Sequence, residues 1–203
     1  MIALLEDIRA IYRHDPACRN IEFLLYPSLH VITVHRYVIH PLYRIGIPFL
    51  PRLFSQLMRF FTGIEIHPGA KIGPGFFCDH GSGVVIGETV EIGYNCTLFH
   101  GVTLGGTGKE QRKRHPTIGD DVYIGHGTTI LGPVTIGSRS KIGAQTVIVN
   151  RDVPPDCTVI GSTPRIVKME GRKVNISLPV AGYRQMEQER EKMTELTAWA
   201  KQG

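Results

Sequence analysis

Nowhere in the 203 residues is there a run of about 18 apolar side chains, so no membrane-crossing helix is expected. Cysteine is scarce and scattered. Cys18, Cys78, Cys96 and Cys157 form no Cys-x-x-Cys pair, which points away from a disulfide framework and from a zinc ribbon. Aromatic residues make up 8% of the chain, and no basic stripe is interleaved with them, so nucleic acid is not an expected partner. Charge of one sign is in only mild excess, +5, which suits a small polyanionic ligand. The opening MIALLEDIRA reaches Glu6 and Asp7 after five apolar residues, too soon for a secretion signal. The expectation is a soluble, cytoplasmic protein. What the chain has in plenty is glycine, 23 of 203 residues, which implies many turns or a backbone packed close to something.

The glycines belong to a repeat. From Ile118 an apolar residue, with one proline, recurs every six positions: Ile118, Ile124, Ile130, Ile136, Ile142, Ile148, Pro154, Ile160 and Ile166. Upstream the same period gives Ile66, Ile72, Cys78 and Val84, and after a slip of two it resumes at Ile86, Ile92, Leu98 and Leu104. Six matches neither the helical 3.6 nor the heptad, but it is a multiple of the strand period of two. Each bulky side chain can then point to one side, and the glycines at 119, 125, 137, 143 and 161 are expected to supply turns of permissive φ. Three short strands close a coil of about 18 residues, and stacked coils bury one apolar column: a parallel β-helix.

Residues 1–62 lack the period and read as a helical cap over the solenoid's open end. Helices are expected near Ile2–Tyr12, over Ser28–Ile45 with Pro41 kinking or shortening it, and over Pro48–Phe61. The last of these carries Leu50, Leu53, Phe54, Leu57, Met58 and Phe61 on one face. The β-helix occupies 63–170, with the polar, basic stretch GGTGKEQRKRHPT thrown off as a loop between Leu104 and Ile118. Residues 171–203 form a tail, read as helical over Tyr183–Lys201.

Three stretches carry chemistry: GIEIHPGAKIG (63–73), DHGSGVVIGET (79–89) and GVTLGGTGK with RHPTIG (101–119). With the hexads they resemble the serine O-acetyltransferases among the hexapeptide-repeat acyltransferases. That resemblance implies a left-handed parallel β-helix, a homotrimer with a hexamer as the runner-up, and acetyl transfer from acetyl-CoA to the hydroxyl of L-serine, for cysteine biosynthesis. It makes His80 the general base, a role suited to a group that titrates near working pH. Glu65 stands where the family has an Asp orienting that His, and Asp79 and Asp15 match family residues that hold the serine. Arg114 and His115 match its Arg-His pair: a planar fork for the serine carboxylate, and a second His, reaching from a neighbouring subunit, for the substrate or the developing oxyanion. Gly105, Gly106 and Ala144 sit where the family lays the pantetheine arm, with His126 narrowing the slot. Arg165 and Lys168 could meet the coenzyme's phosphates.

No metal is expected. GGTGK is not a phosphate-binding P-loop, because Thr103 and Glu110 break GxxxxGK[ST]. Cysteine is an expected feedback inhibitor, being close to serine in shape. The family's complex with cysteine synthase uses a C-terminal Ile, and since this chain ends Ala-Lys-Gln-Gly, that complex is not expected. Rival readings are O-acetylation of a sugar or another small hydroxyl acceptor, for which a carboxylate-binding Arg114 has no purpose, and a non-catalytic scaffold. A trimeric zinc enzyme of the gamma carbonic anhydrase kind is a third, built on His67, His80, His100, His115 and His126.

Overall fold

The computed structural model describes residues 2–108 and 112–178. Helices come first: α1 (Ile2–His14), a 3₁₀ turn (Asn20–Leu25), α2 (Pro27–Val34), a π turn (His35–Ile39), α3 (His40–Arg44) and α4 (Leu50–Thr62). The helix expected over 28–45 is thus three pieces. Pro41 has no N–H to bond the carbonyl one turn back, and the chain widens just before it, His40 N–H reaching His35 O. Helix α4 also departs from expectation. Its docked side carries Pro51, Ser55 and Met58, with Ser55 Oγ donating to Ile66 O at 2.6 Å. Leu50, Leu53, Leu57 and Phe61 remain exposed on the single chain.

The remainder winds into a parallel β-solenoid with three faces. Face A stacks β1 (Glu65–Ile66), β4 (Val85–Ile86), β7 (Thr103–Gly105), β10 (Thr129–Leu131) and β13 (Val147–Val149). Face B stacks β2 (Lys71–Ile72), β5 (Glu91–Ile92), β8 (Thr117–Ile118) and β11 (Thr135–Ile136). Face C stacks β3 (Phe77–Asp79), β6 (Thr97–Phe99), β9 (Tyr123–Ile124), β12 (Lys141–Ile142) and β14 (Cys157–Ile160). Inward residues pair in register up the faces, and on face A the row Ile66–Ile86–Leu104–Ile130–Ile148 is essentially fully buried. Each such side chain contributes about 1.5–3 kcal/mol of burial.

Two features of the repeat differ from the sequence expectation. Glycines 119, 125, 137 and 143 do not carry positive φ; that conformation falls on Asn95, Asp121, Gly127, Arg139, Gln145 and Asp156, three residues after the inward residue. Gly125 is needed for closeness instead. A Cβ there would stand 2.6 Å from the backbone nitrogen of Ala144 in the next coil. The register also shifts near the end. Ile142 pairs with Val159 and Ile136 bridges to Val153, so Val153 and Val159 turn inward while Ile160 is exposed. The corner before Val153 is one residue shorter, and buried Asp152 accepts the Thr135 N–H across it at 2.7 Å.

Face C ends in an antiparallel hairpin, β15 (Arg165–Met169) and β16 (Arg172–Ser177), so the segment after 171 begins as strand. The helix expected at Tyr183–Lys201 lies outside the described residues. At the other end, the cap is fixed by Asp7, 1% exposed, which accepts the N–H groups of Gly75 and Phe76 at 2.8 and 3.1 Å and pairs with Arg36 at 3.2 Å. Arg36 also donates to Ile72 O and Gly73 O, so one buried ion pair ties α1 and the π turn to the first coil. Among the described residues, no helix is long and apolar enough to cross a membrane.

Candidate active site

The corner joining face C to face A carries His80. The first coil is two residues longer than the next at this corner, and the two extra residues are taken up within the turn His80-Gly81-Ser82-Gly83. His80 adopts φ +59°, a left-handed conformation costly for a residue with a side chain, and the turn is held by Gly81 N–H to Asp79 O and Ser82 N–H to His80 O. The result is an imidazole standing off the solenoid, 75% exposed, with Asp79 Oδ2 3.9 Å from its Nε2. Asp79 itself is mostly covered. Directly above in the next two coils stand His100 and His126. The ring centres of His80 and His100 are 5.9 Å apart, edge to face, and those of His100 and His126 are 5.2 Å apart and stacked.

This ladder has a signal in the sequence. His-Gly recurs at 80–81, 100–101 and 126–127, and every one of those glycines has positive φ. The sequence reading gave His100 no place in the acyl-transfer site. Ala144 is exposed one coil above His126 on the same corner, and Arg165 leaves the turn that tops it. Arg165 donates to Asn175 Oδ1 and O within the hairpin, while Lys168 sits farther along β15 opposite Thr158.

Glu65 does not reach His80 in this chain. Helix α4 lays Arg52 and Arg59 over β1, and they hold the Glu65 carboxylate at 3.0 and 3.1 Å, with Gln56 at 3.4 Å. The expected His80–Glu65 pairing is therefore replaced, in the single chain, by an anchor between α4 and the first strand. Asp15, after α1, accepts the Ala17 N–H at 2.8 Å and the hydroxyl of Tyr26. The Tyr26 ring packs on Phe77, which faces the same way as Asp79 two residues on, so Asp15 and Asp79 overlook one patch of face C.

The corner joining face A to face B carries a second cluster. Lys113, Arg114 and His115, at the end of the basic loop, are gathered onto Glu88 and Thr89. Lys113 Nζ donates to Thr89 O and Pro116 O, and half-burial lowers its pKa. Arg114 pairs with Glu88 at 2.8 Å, and Tyr43 donates to the same carboxylate at 3.3 Å. His115, 7% exposed, lies over Gly87, where a Cβ would come within 2.1 Å of the ring, and its Nδ1 meets Thr89. Burial, seconded by Arg114, pushes the His115 imidazole below its ordinary pKa. His67 stands edge-on to Tyr43 close by, and burial lowers its pKa too. A cleft of about 310 Å³ opens beside this cluster, lined by Tyr43, Gly69, Lys71, Glu88, Arg112 and Lys113 among others. Gly105 and Gly106 lie between the two corners, at the end of face A where the loop departs.

The residues expected to act together thus fall into two groups. His80, Asp79 and His126 belong to one corner and Arg114 and His115 to another, with face A between them. Among the described residues, no three His, Cys, Asp or Glu side chains converge as metal ligands: His67 and His115 are on one corner, and the other three histidines are stacked along the other. The roles of Glu88 and Thr89 went unread in the sequence, because a Gly-Glu-Thr corner has no chemistry until a loop is seen to dock on it.

Residues 115–150 match the family model described as bacterial transferase hexapeptide (six repeats). The chain is 53% identical over 177 residues to a serine acetyltransferase of Bacillus subtilis, covering 86% of this chain and 81% of that one. It superposes on the serine acetyltransferase of Neisseria gonorrhoeae with a TM-score of 0.79 and 42% identity, covering 85% of this chain and 66% of that one. For that protein's complex with serine the TM-score is 0.78 and the identity 43%, covering 82% of this chain and 68% of the other.

Proposed function

This chain belongs to the serine acetyltransferase family, and on that premise we propose that it carries the acetyl group of acetyl-CoA to the hydroxyl of L-serine in a site shared between two copies of itself. The observation that carries the shared site is the separation just described: the base stands at one edge of face A and the carboxylate-binding arm at the other. Face A is also more apolar than face B. Beside Glu65, Thr103 and Thr129, its outward residues include Val85, Leu131, Val147 and Val149, whereas face B turns out Lys71, Glu91, Thr117 and Thr135. Three solenoids that turn face A toward a common axis bury those valines and set the His80 edge of one against the Arg114 edge of the next. That arrangement is a closed ring of identical, head-to-tail contacts. The open apolar side of α4 offers the surface for a further pairing of trimers.

In that site Arg114, its fork steadied by Glu88, binds the serine carboxylate, and Asp79 and Asp15 face the ammonium group. His80 takes the hydroxyl proton as the oxygen attacks the thioester carbonyl, forming the new C–O bond. His115 stabilises the oxygen that becomes negative. The C–S bond then breaks, and His80 returns the proton to the departing thiolate. Asp79 stabilises the imidazolium in between. A base so placed contributes about 10²–10⁴ in rate. Acetyl-CoA is proposed to lie along the histidine ladder, with its phosphates toward Arg165 and Lys168 and its arm passing Ala144, His126, Gly105 and Gly106. Cysteine, differing from serine by sulfur for oxygen, competes for the same carboxylate and ammonium contacts. The test is release of free thiol from acetyl-CoA with serine, homoserine or a sugar as acceptor. Serine is expected to be strongly preferred, and equal rates with the sugar would refute the reading.

A further inference from the structure

Thr89 makes five contacts to three consecutive residues of the loop, and they account for everything its hydroxyl can do. A threonine oxygen has two lone pairs and one hydrogen. Thr89 Oγ1 accepts the backbone N–H of Arg114 at 3.2 Å and that of His115 at 3.2 Å, which uses both lone pairs. Its hydrogen is left for His115 Nδ1, 2.9 Å away. The Thr89 backbone N–H also points at Nδ1, at 3.2 Å. The fifth contact ties the Thr89 carbonyl to Lys113 Nζ.

The backbone N–H decides the tautomer, because it can only donate. Nδ1 must be an acceptor, so the single ring hydrogen of His115 is on Nε2. We propose that Thr89 is a positioning residue that fixes His115 as a neutral Nε2–H donor, so that His115 serves the reaction by hydrogen bonding and never as a second base. This inference rests on the serine acetyltransferase reading only for what the donor meets; the tautomer itself follows from the contacts. The surroundings agree with a neutral ring. Arg114 and Lys113 beside it oppose a positive charge, as does burial, and Glu88 alone nearby favours one, with its carboxylate already held by Arg114 and Tyr43. A donor that stays neutral gains strength as the carbonyl oxygen becomes negative and loses nothing to proton transfer.

The test is the ¹⁵N spectrum of the imidazoles in the full-length oligomer at pH 7.5, with the His115 signals assigned by their loss in His115→Gln. Wild type is expected to show the Nε2–H form with an unprotonated Nδ1. An Nδ1–H form or an imidazolium would overturn the proposal, whatever the protein's substrate proves to be. Thr89→Ser keeps the oxygen and its hydrogen and is expected to retain turnover within about twofold, whereas Thr89→Val keeps the backbone N–H, and with it the tautomer, but strands the Arg114 and His115 amides and is expected to lower kcat at least about tenfold. A valine variant with wild-type kcat, or a serine variant as slow as the valine one, would also overturn it. If the tautomer is as expected but no acceptor is acetylated, the inference about Thr89 stands and the functional reading fails.

Discussion

A site divided between the two edges of face A makes a quantitative prediction about mixed oligomers. Take one variant lacking the base, His80→Ala, and one lacking the carboxylate fork, Arg114→Ala. Each homotrimer is defective at all its junctions: the first in turnover, the second by about a hundredfold in kcat/KM for serine, since truncating one partner of a desolvated charge pair costs about 2–5 kcal/mol. Co-expressed in equal amounts, the two chains mix at random around the ring. A junction is intact only when the chain presenting its His80 edge is the arginine variant and its neighbour is the histidine variant. That happens at about one junction in four, so kcat/KM per chain should return to about a quarter of wild type. The assay is thiol release at serine well below KM, on the whole population of trimers, purified through one tag common to both chains. If His80 and Arg114 instead meet within one chain, every site carries a defect and the mixture never exceeds the better parent. A mixture no more active than Arg114→Ala alone refutes the shared site.

Alone, His80→Ala is expected to lower kcat at least a hundredfold while leaving CoA binding near normal, checked by steady-state kinetics and calorimetry. Arg114→Ala should act mainly on the KM for serine; an effect confined to acetyl-CoA would contradict the carboxylate role. Because Glu65 is held by Arg52 and Arg59 and Asp79 stands beside His80, Asp79→Asn should cost more turnover than Glu65→Gln, and Glu65→Gln should show chiefly as a lower Tm. The reverse ranking would restore Glu65 as the partner of His80. His35 supplies a pH test of the cap. It is buried with Nε2 on Ala70 O, and burial pushes its imidazole down to about 4. Its contribution is therefore complete above the unfolded pKa near 6.5 and is lost as pH falls from there toward 4, by about 3 kcal/mol. The Tm difference between pH 7.5 and pH 4.5 should shrink in His35→Gln.

What could be read in the sequence and what could not divide along one physical line. A six-residue apolar period is a statement about which side chains point inward, so the solenoid and its inward column from Ile66 to Ile148 were legible. The helical cap was legible too, where Pro27, Gly46 and Pro48 punctuate it. The period carries no information on what happens at the corners, and there the expectations needed correction. Gly125 proved to be small because a neighbouring coil passes within contact, and the left-handed residue was Gly127. The register change at Val153 came from a single missing corner residue, which six-fold counting from Ile148 passes over as Pro154.

The candidate site lies wholly at corners, which is why its members could be named from motifs but not assembled from them. His80 is displayed because two extra residues and a left-handed backbone lift it off the column, and Arg114 is aimed because Thr89 and Glu88 receive the loop. Spacing in the chain reports neither. Residues 80 and 114 are close in sequence and, by their hexad positions alone, equally free to share one corner. Only the coil count between them, with a turn inserted before Ile86 and a loop after Leu104, assigns them to opposite edges of face A. That separation is the observation on which the proposed sharing of the site between two chains rests.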